Sequence, residues 1–123
     1  MNSLDQTTTL QDLKSLLRKF RDERNWSQFH TPKNLSEAIT IEAGELLELF
    51  LWKSEEELNE AFKNPDFLNK VRHELADILC YCLNFANSMN IDVSVAVQEK
   101  VEANQRKYPV EKSKNTAKKY TEL

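Results

Sequence analysis

A chain of 123 residues with a single glycine and three prolines has very few places to turn sharply. Hairpins, bulges and tight loops draw on those two residues for backbone angles that others resist. No stretch alternates apolar with polar residues either, so a sheet protein is excluded and the chain is expected to be nearly all helix. Its length fits one domain, residues 1–123, long enough to bury a sizeable core.

The apolar spacing divides the chain into helices. Leu10, Leu13, Leu16, Leu17 and Phe20 form one stripe and predict a first helix from about Thr9 to Glu23. The segment "NWSQFHTPKN" follows as an aromatic-rich loop. Asn34 with Glu37 three residues on resembles a capping box, predicting a second helix from there to about Trp52. Ser54 and Glu57 open a short helix in the same way. Pro65 suits the first turn of a long helix that keeps its period to about Met89, and Asp92 can cap a last helix ending before Pro109. Four principal helices with short connections predict an antiparallel four-helix bundle, a fold whose ligand sites are built from inward-facing side chains. Residues 1–8 and the Lys-rich stretch 110–123 read as flexible or interface tails.

Charge and composition narrow the functions. Seventeen Lys and Arg against 20 Asp and Glu leave a formal net charge of -3, which gives no general attraction for a nucleic-acid polymer or an anionic membrane. The opening "MNSLDQTTTL" lacks the basic and apolar regions of a signal peptide, and no apolar run approaches the roughly 18 residues of a membrane span. A cytoplasmic protein is expected. Cys80 and Cys82 lie about 200 degrees apart on a helix and read as small buried hydrophobes in a reducing compartment. The only histidines are His30 and His73, too few to complete a zinc site, and His73 reads as solvated.

The acidic residues carry the chemistry. In "IEAGELLELFLW", Glu42, Glu45 and Glu48 recur every third residue within a run of side chains that bury themselves. Projected on a helix, Glu42 falls inside the apolar arc between Leu49 and Leu35. Glu45 lies one step round, bordered by Ala38 and Trp52, and Glu48 lies further out beside Ile41. On the long helix, Glu74 projects between Tyr81 and Phe85 and Asp77 at the adjoining edge near Asn84. Two inward ExxE and ExxD pairs on neighbouring helices bring four carboxylates into a small volume. Two unit charges about 4 Å apart repel by about 4 kcal/mol at an effective dielectric of about 20, so the ionised cluster calls for a cation. All-oxygen ligands suit Mg2+ or Mn2+, and Mg2+ recruits substrate phosphates, which points to phosphate chemistry. A di-iron centre would use Glu-x-x-His pairs, and neither histidine has a Glu three residues before it. Helical Glu at this spacing also marks solvated faces, but two pairs set in apolar arcs are harder to assign to solvent.

The segments "FRDERNWSQFHTPKNL", "EAGELLELFLWK", "ELADILCYCLNFA" and "KVEANQRKYPVEKSKNTAKKYTEL" together resemble the all-alpha nucleoside triphosphate pyrophosphohydrolases of the MazG type, most closely the dCTP pyrophosphatase branch. The resemblance spans nearly the whole chain. It implies an all-helical subunit that pairs into a homo-oligomer, often a dimer of dimers, and hydrolysis of a nucleoside triphosphate to monophosphate and pyrophosphate. By motif, Glu42, Glu45, Glu74 and Asp77 would be the Mg2+ ligands. Glu45 is also the candidate for the carboxylate that takes the water's proton, with Glu48 as outer-shell helper; the sequence does not separate ligand from base. Trp26, His30 and Trp52 would form the base pocket, partly across the subunit interface, and Tyr81 would contact the sugar. Lys100 and Asn104, one turn apart, together with Tyr108 are candidates for phosphate and sugar, with Arg106 and Lys107 beside them. Two departures stand out: the wider EExxE motif begins with Ile41 here, as in the dCTP branch, and well-known members carry a histidine where Leu17 stands. The implied role is nucleotide-pool house-cleaning on dCTP or a modified dCTP, with dUTP, dATP or oxidised nucleotides as other possible substrates. A phosphoribosyl-ATP type pyrophosphohydrolase matches the aromatic segments poorly. The alternative from another class is a non-catalytic helical module that senses nucleotides or a partner protein.

Overall fold

A computed structural model describes residues 3–123, so the first two residues of the expected N-terminal tail lie outside the described residues. It is all-helical, with no strand among the described residues. The chain divides into two compact units, one ending at Asn90 and the other spanning Ile91–Leu123.

Among the described residues the first unit holds four α-helices, α1 (Leu10–Glu23), α2 (Pro32–Glu48), α3 (Glu55–Ala61) and α4 (Pro65–Met89), and a 3-10 turn at Ser27–Phe29. Each α-helix start is chemically specified. Thr9 accepts from the Asp12 N–H while the Asp12 carboxylate accepts from the Thr9 N–H, a reciprocal box that opens α1. Ser54 accepts from the Glu57 N–H at α3, and Asn64 accepts from the Asp66 N–H ahead of Pro65 at α4. Asn90, in the left-handed region at φ 54°, ends α4.

The second helix differs from expectation at both ends. Thr31, not Asn34, is its cap: the hydroxyl accepts from the Asn34 N–H at 3.2 Å, and Pro32 fills the first turn, where its missing N–H costs nothing. The Asn34 amide instead donates to the Phe29 carbonyl and ties the aromatic loop down. At the other end α2 stops at Glu48 instead of running to Trp52. The chain turns through Leu49 and Phe50, the Lys53 ammonium donates to the Leu49 carbonyl, and Trp52 adopts φ 63°. An apolar run continuing past the helix end disguised this stop.

Helix α4 is the spine of this unit, packed against α2 and α1. Leu35 of α2, Leu58 of α3, and Leu83 and Ala86 of α4 are its buried apolar residues. Phe50, Phe62 and Phe67 meet edge-on and tilted, with ring centroids 5.8 to 6.3 Å apart, and close the α2–α3–α4 end. Asn87 of α4 donates to the Lys14 carbonyl and accepts from Arg18, fastening α1. Ile41, Leu47, Leu75 and Leu79 remain exposed along α2 and α4.

The second unit is α5 (Val93–Lys107), α6 (Val110–Ser113) and a 3-10 turn at Tyr120–Glu122. Asp92 caps α5 by accepting from the Val95 N–H, as its sequence predicts. Within the stretch expected to be a tail, the Tyr120 ring meets Tyr108 at 5.9 Å and the Lys107 ammonium lies 5.0 Å over it. No helix of the described residues is long and apolar enough to cross a membrane.

Candidate active site

Glu42 and Glu45, one turn apart on α2, meet Glu74 on α4, with one carboxylate oxygen from each lying within 4.8 Å of the others. The packing of α2 on α4 makes this meeting, since the ExxE register turns both α2 carboxylates towards the same side of the helix. Glu42 and Glu74 are half-buried, Glu45 is exposed, and the Oε2 atoms of Glu42 and Glu74 are buried with no hydrogen-bond partner.

Three negative groups in contact resist ionising together. Glu42 is pushed up to about 7, first by a hydrogen bond shared with Glu45 that favours its protonated form, then by burial and by the charges of Glu45, Asp77 and Glu74. Glu74 is raised as well, by burial first and then by Glu45, Asp77 and Glu48. Asp77 stands outside the group of three, one turn along α4, yet its charge reaches both buried carboxylates. Glu48, the last residue of α2, acts on Glu74 in the same way.

The fit to a cation follows from these atoms. Buried carboxylate oxygens without donors are costly in a metal-free protein, and a hard divalent ion is the partner that satisfies several at once. The three glutamates could hold one.

Asp77 also belongs to a cavity of about 500 Å³ lined by Leu16, Leu17, Phe20, Trp26, His30, Asp77, Cys80, Tyr81 and Asn84. Trp26 reaches it from the loop after α1, fixed edge-on against Phe20 at 5.8 Å, while the Arg24 guanidinium covers the Phe20 ring at 3.7 Å. His30 is held where the Ser88 hydroxyl donates to its carbonyl at 2.6 Å. Burial, with a smaller contribution from Arg21, depresses the His30 pKa and favours the neutral ring; its Nδ1 is buried without a partner.

Of the residues singled out in the sequence, Glu42, Glu45 and Glu74 therefore gather at one point, and Trp26, His30, Asp77 and Tyr81 around one cavity. Trp52 does not join them: its side chain is 91 % exposed. Lys100 and Asn104 are exposed on α5, and Tyr108 packs against Tyr120, all in the second unit. Leu17, singled out as the place where well-known members of the resembled family carry a histidine, lines the cavity, whereas Leu16, Phe20, Cys80 and Asn84 carry no such mark in the sequence. Leu16 and Phe20 fall on the apolar stripe of α1 and read as core; Asn84, a polar residue next to the Asp77 edge of an apolar arc, is the available signal.

The chain matches the MazG-like family over residues 38–123 and belongs to that family. It is 41 % identical to dCTP pyrophosphatase 1 of Bos taurus over 121 residues, 98 % of this chain and 72 % of the relative. The human dCTP pyrophosphatase 1 is 39 % identical over 115 residues, 94 % of this chain and 68 % of the relative. Among solved structures, a pyrophosphatase from Archaeoglobus fulgidus superimposes with a TM-score of 0.74 at 42 % identity, covering 81 % of this chain and 92 % of that one.

Proposed function

We propose that the protein is a nucleoside triphosphate pyrophosphohydrolase that converts deoxynucleoside triphosphates, dCTP or a modified dCTP foremost, to the monophosphate and pyrophosphate. The observation that carries the reading is the adjacency of two features: a carboxylate cluster with unpartnered buried oxygens, and an aromatic-walled cavity, with Asp77 belonging to the second and acting electrostatically on the first. The relatives named dCTP pyrophosphatase 1 support the choice of nucleotide.

Glu42, Glu45, Glu74 and Asp77 are the proposed ligands of Mg2+, with Mn2+ as a substitute. A divalent cation held there supplies Lewis-acid neutralisation of charge on the phosphates. Glu45, the exposed member of the three, accepts the proton of the attacking water, and Glu48 at the helix end orients it. Trp26 and Tyr81 offer flat surfaces for base and sugar, and the neutral His30 ring adds a polar edge. For Lys100, Asn104 and Tyr108, contact with phosphate and sugar is proposed on the motif resemblance.

Trp52 fits a role outside its own subunit. A bulky exposed side chain in the left-handed backbone region is strained, and such strain collects at functional positions. With Ile41, Leu47, Leu75 and Leu79 exposed nearby in sequence or on the partner helix, a homo-oligomer, a dimer of dimers, is the proposed state, with Trp52 lending its ring to a neighbouring subunit's site. The proposed setting is the cytoplasm, clearing unwanted nucleotides from the pool.

Glu74→Gln tests the reading. The variant should bind dCTP, measured by calorimetry, and fail to release pyrophosphate. Full turnover by the variant would remove Glu74 from the site, and a wild-type chain that binds without turning over would favour the nucleotide-sensing alternative.

A further inference from the structure

The walls of the cavity are mostly apolar, and two polar atoms there lack a partner, His30 Nδ1 and Asn84 Oδ1, of which the second belongs to the more deeply buried residue. Asn84 is 8 % exposed, lines the cavity, and its Oδ1 is buried with no hydrogen-bond partner. A buried amide oxygen left unpaired forfeits its hydration for nothing, so an apolar side chain of similar shape would serve the helix better. Leu16, Leu17 and Phe20 carry no polar side-chain atom, and although Trp26, His30 and Tyr81 carry donors in the same lining, none of them bonds the Asn84 oxygen. The donor is therefore expected to arrive with whatever fills the cavity.

Position along α4 says which part of a ligand that is. Asp77 and Asn84 are seven residues apart, two turns on one face, which separates them by about 10 Å of helix rise. That span is on the scale of a nucleoside. Phosphates at the carboxylate end leave the base at the Asn84 end, beside the rings of Trp26 and Tyr81.

We infer that Asn84 is the residue that reads the nucleobase, its amide oxygen accepting from an exocyclic amino group such as cytosine N4 or adenine N6. Thymine and uracil present a carbonyl oxygen at that edge, and with the amide in the orientation seen here, its oxygen buried without a partner, they leave the Asn84 oxygen unpaired. This rests on the pyrophosphohydrolase reading above and sharpens its substrate class to amino-bearing bases.

The test uses Asn84→Leu and Asn84→Ala, with kcat and KM measured for dCTP, dATP, dTTP and dUTP, melting temperature measured for each protein, and dCMP and dTMP binding measured by calorimetry. Both variants should lose about ten- to a hundredfold in kcat/KM for dCTP and dATP, through KM, with little change for dTTP and dUTP. Asn84→Leu should melt at or above the wild-type temperature, because an unpaired buried amide has been replaced by an apolar group. Equal losses on all four nucleotides, a loss confined to dTTP and dUTP, or no loss at all would overturn the assignment, as would a lower melting point for both variants with unchanged selectivity. The mononucleotide arm keeps the two readings apart. Amino-selective dCMP binding that vanishes in the variants supports Asn84 even in a chain without turnover, whereas dCTP turnover indifferent to Asn84 supports the enzyme and removes this residue.

Discussion

Replacing Glu42 by Gln should make the metal-free protein more stable and the metal-loaded protein less so. Glu42 and Glu45 each bring an oxygen within 4.8 Å of the other. Two charges at that distance repel by about 3.5 kcal/mol at a dielectric of about 20 and by about 1 kcal/mol in water. Glu45 is exposed and Glu42 only half-buried, so the lower figure governs, and Glu42→Gln is worth about 1 kcal/mol, or about 4 °C in melting temperature, in EDTA at pH 8. The sign with pH follows from the raised pKa. Glu42 ionises at about 7 when folded and near the ordinary glutamate value of 4.5 when unfolded, so its protonation favours the fold most below 4.5 and that favour is lost as the pH rises through 7. The advantage of the variant should therefore shrink as the pH falls from 7 to 4.5. Mg2+ reverses the order: at about 100 times the dissociation constant it adds about 2.7 kcal/mol to the wild type, and a site weakened a hundredfold keeps only about 0.4 kcal/mol. Thermal melts in EDTA and in Mg2+ at pH 8 read both effects. A variant that gains as much from Mg2+ as the wild type, or melts below it in EDTA, would refute the reasoning.

Two further outcomes are expected. Thr31→Ala removes the acceptor that opens α2 and should cost about 1 kcal/mol in denaturant unfolding, whereas Asn34→Ala should leave the α2 start capped; no cost from Thr31→Ala together with a capping loss from Asn34→Ala would restore Asn34 as the cap. Trp52→Gly relieves the left-handed strain of an exposed residue and should raise subunit stability by about 1 kcal/mol while raising KM; a variant with unchanged KM would take Trp52 out of the pocket.

Much of the fold was legible because its signals are local. Pro65 and an apolar period running to Met89 mark α4 in the sequence itself, the leucine stripe does the same for α1, and Ser54 and Asp92 mark the starts of α3 and α5. The second helix was misplaced where local signals compete. Thr31 and Asn34 are both good caps, and only the hydroxyl-to-N–H bond and the diversion of the Asn34 amide to Phe29 decide between them. Helical spacing found Glu42, Glu45 and Glu74 because a carboxylate inside an apolar arc is conspicuous. The cavity was less visible for the converse reason: Leu16 and Phe20 are apolar whether they face a core or an open pocket, and only the packing of α1 on α4 separates the two.

The central claim is tested most directly by incubating the purified protein with each deoxynucleoside triphosphate, in Mg2+ or in EDTA, and resolving the products by chromatography. The account predicts monophosphate and pyrophosphate in equal amounts, dCTP consumed ahead of dTTP, and no products in EDTA. Release of inorganic phosphate with a diphosphate, or equal turnover with and without the divalent ion, would contradict it.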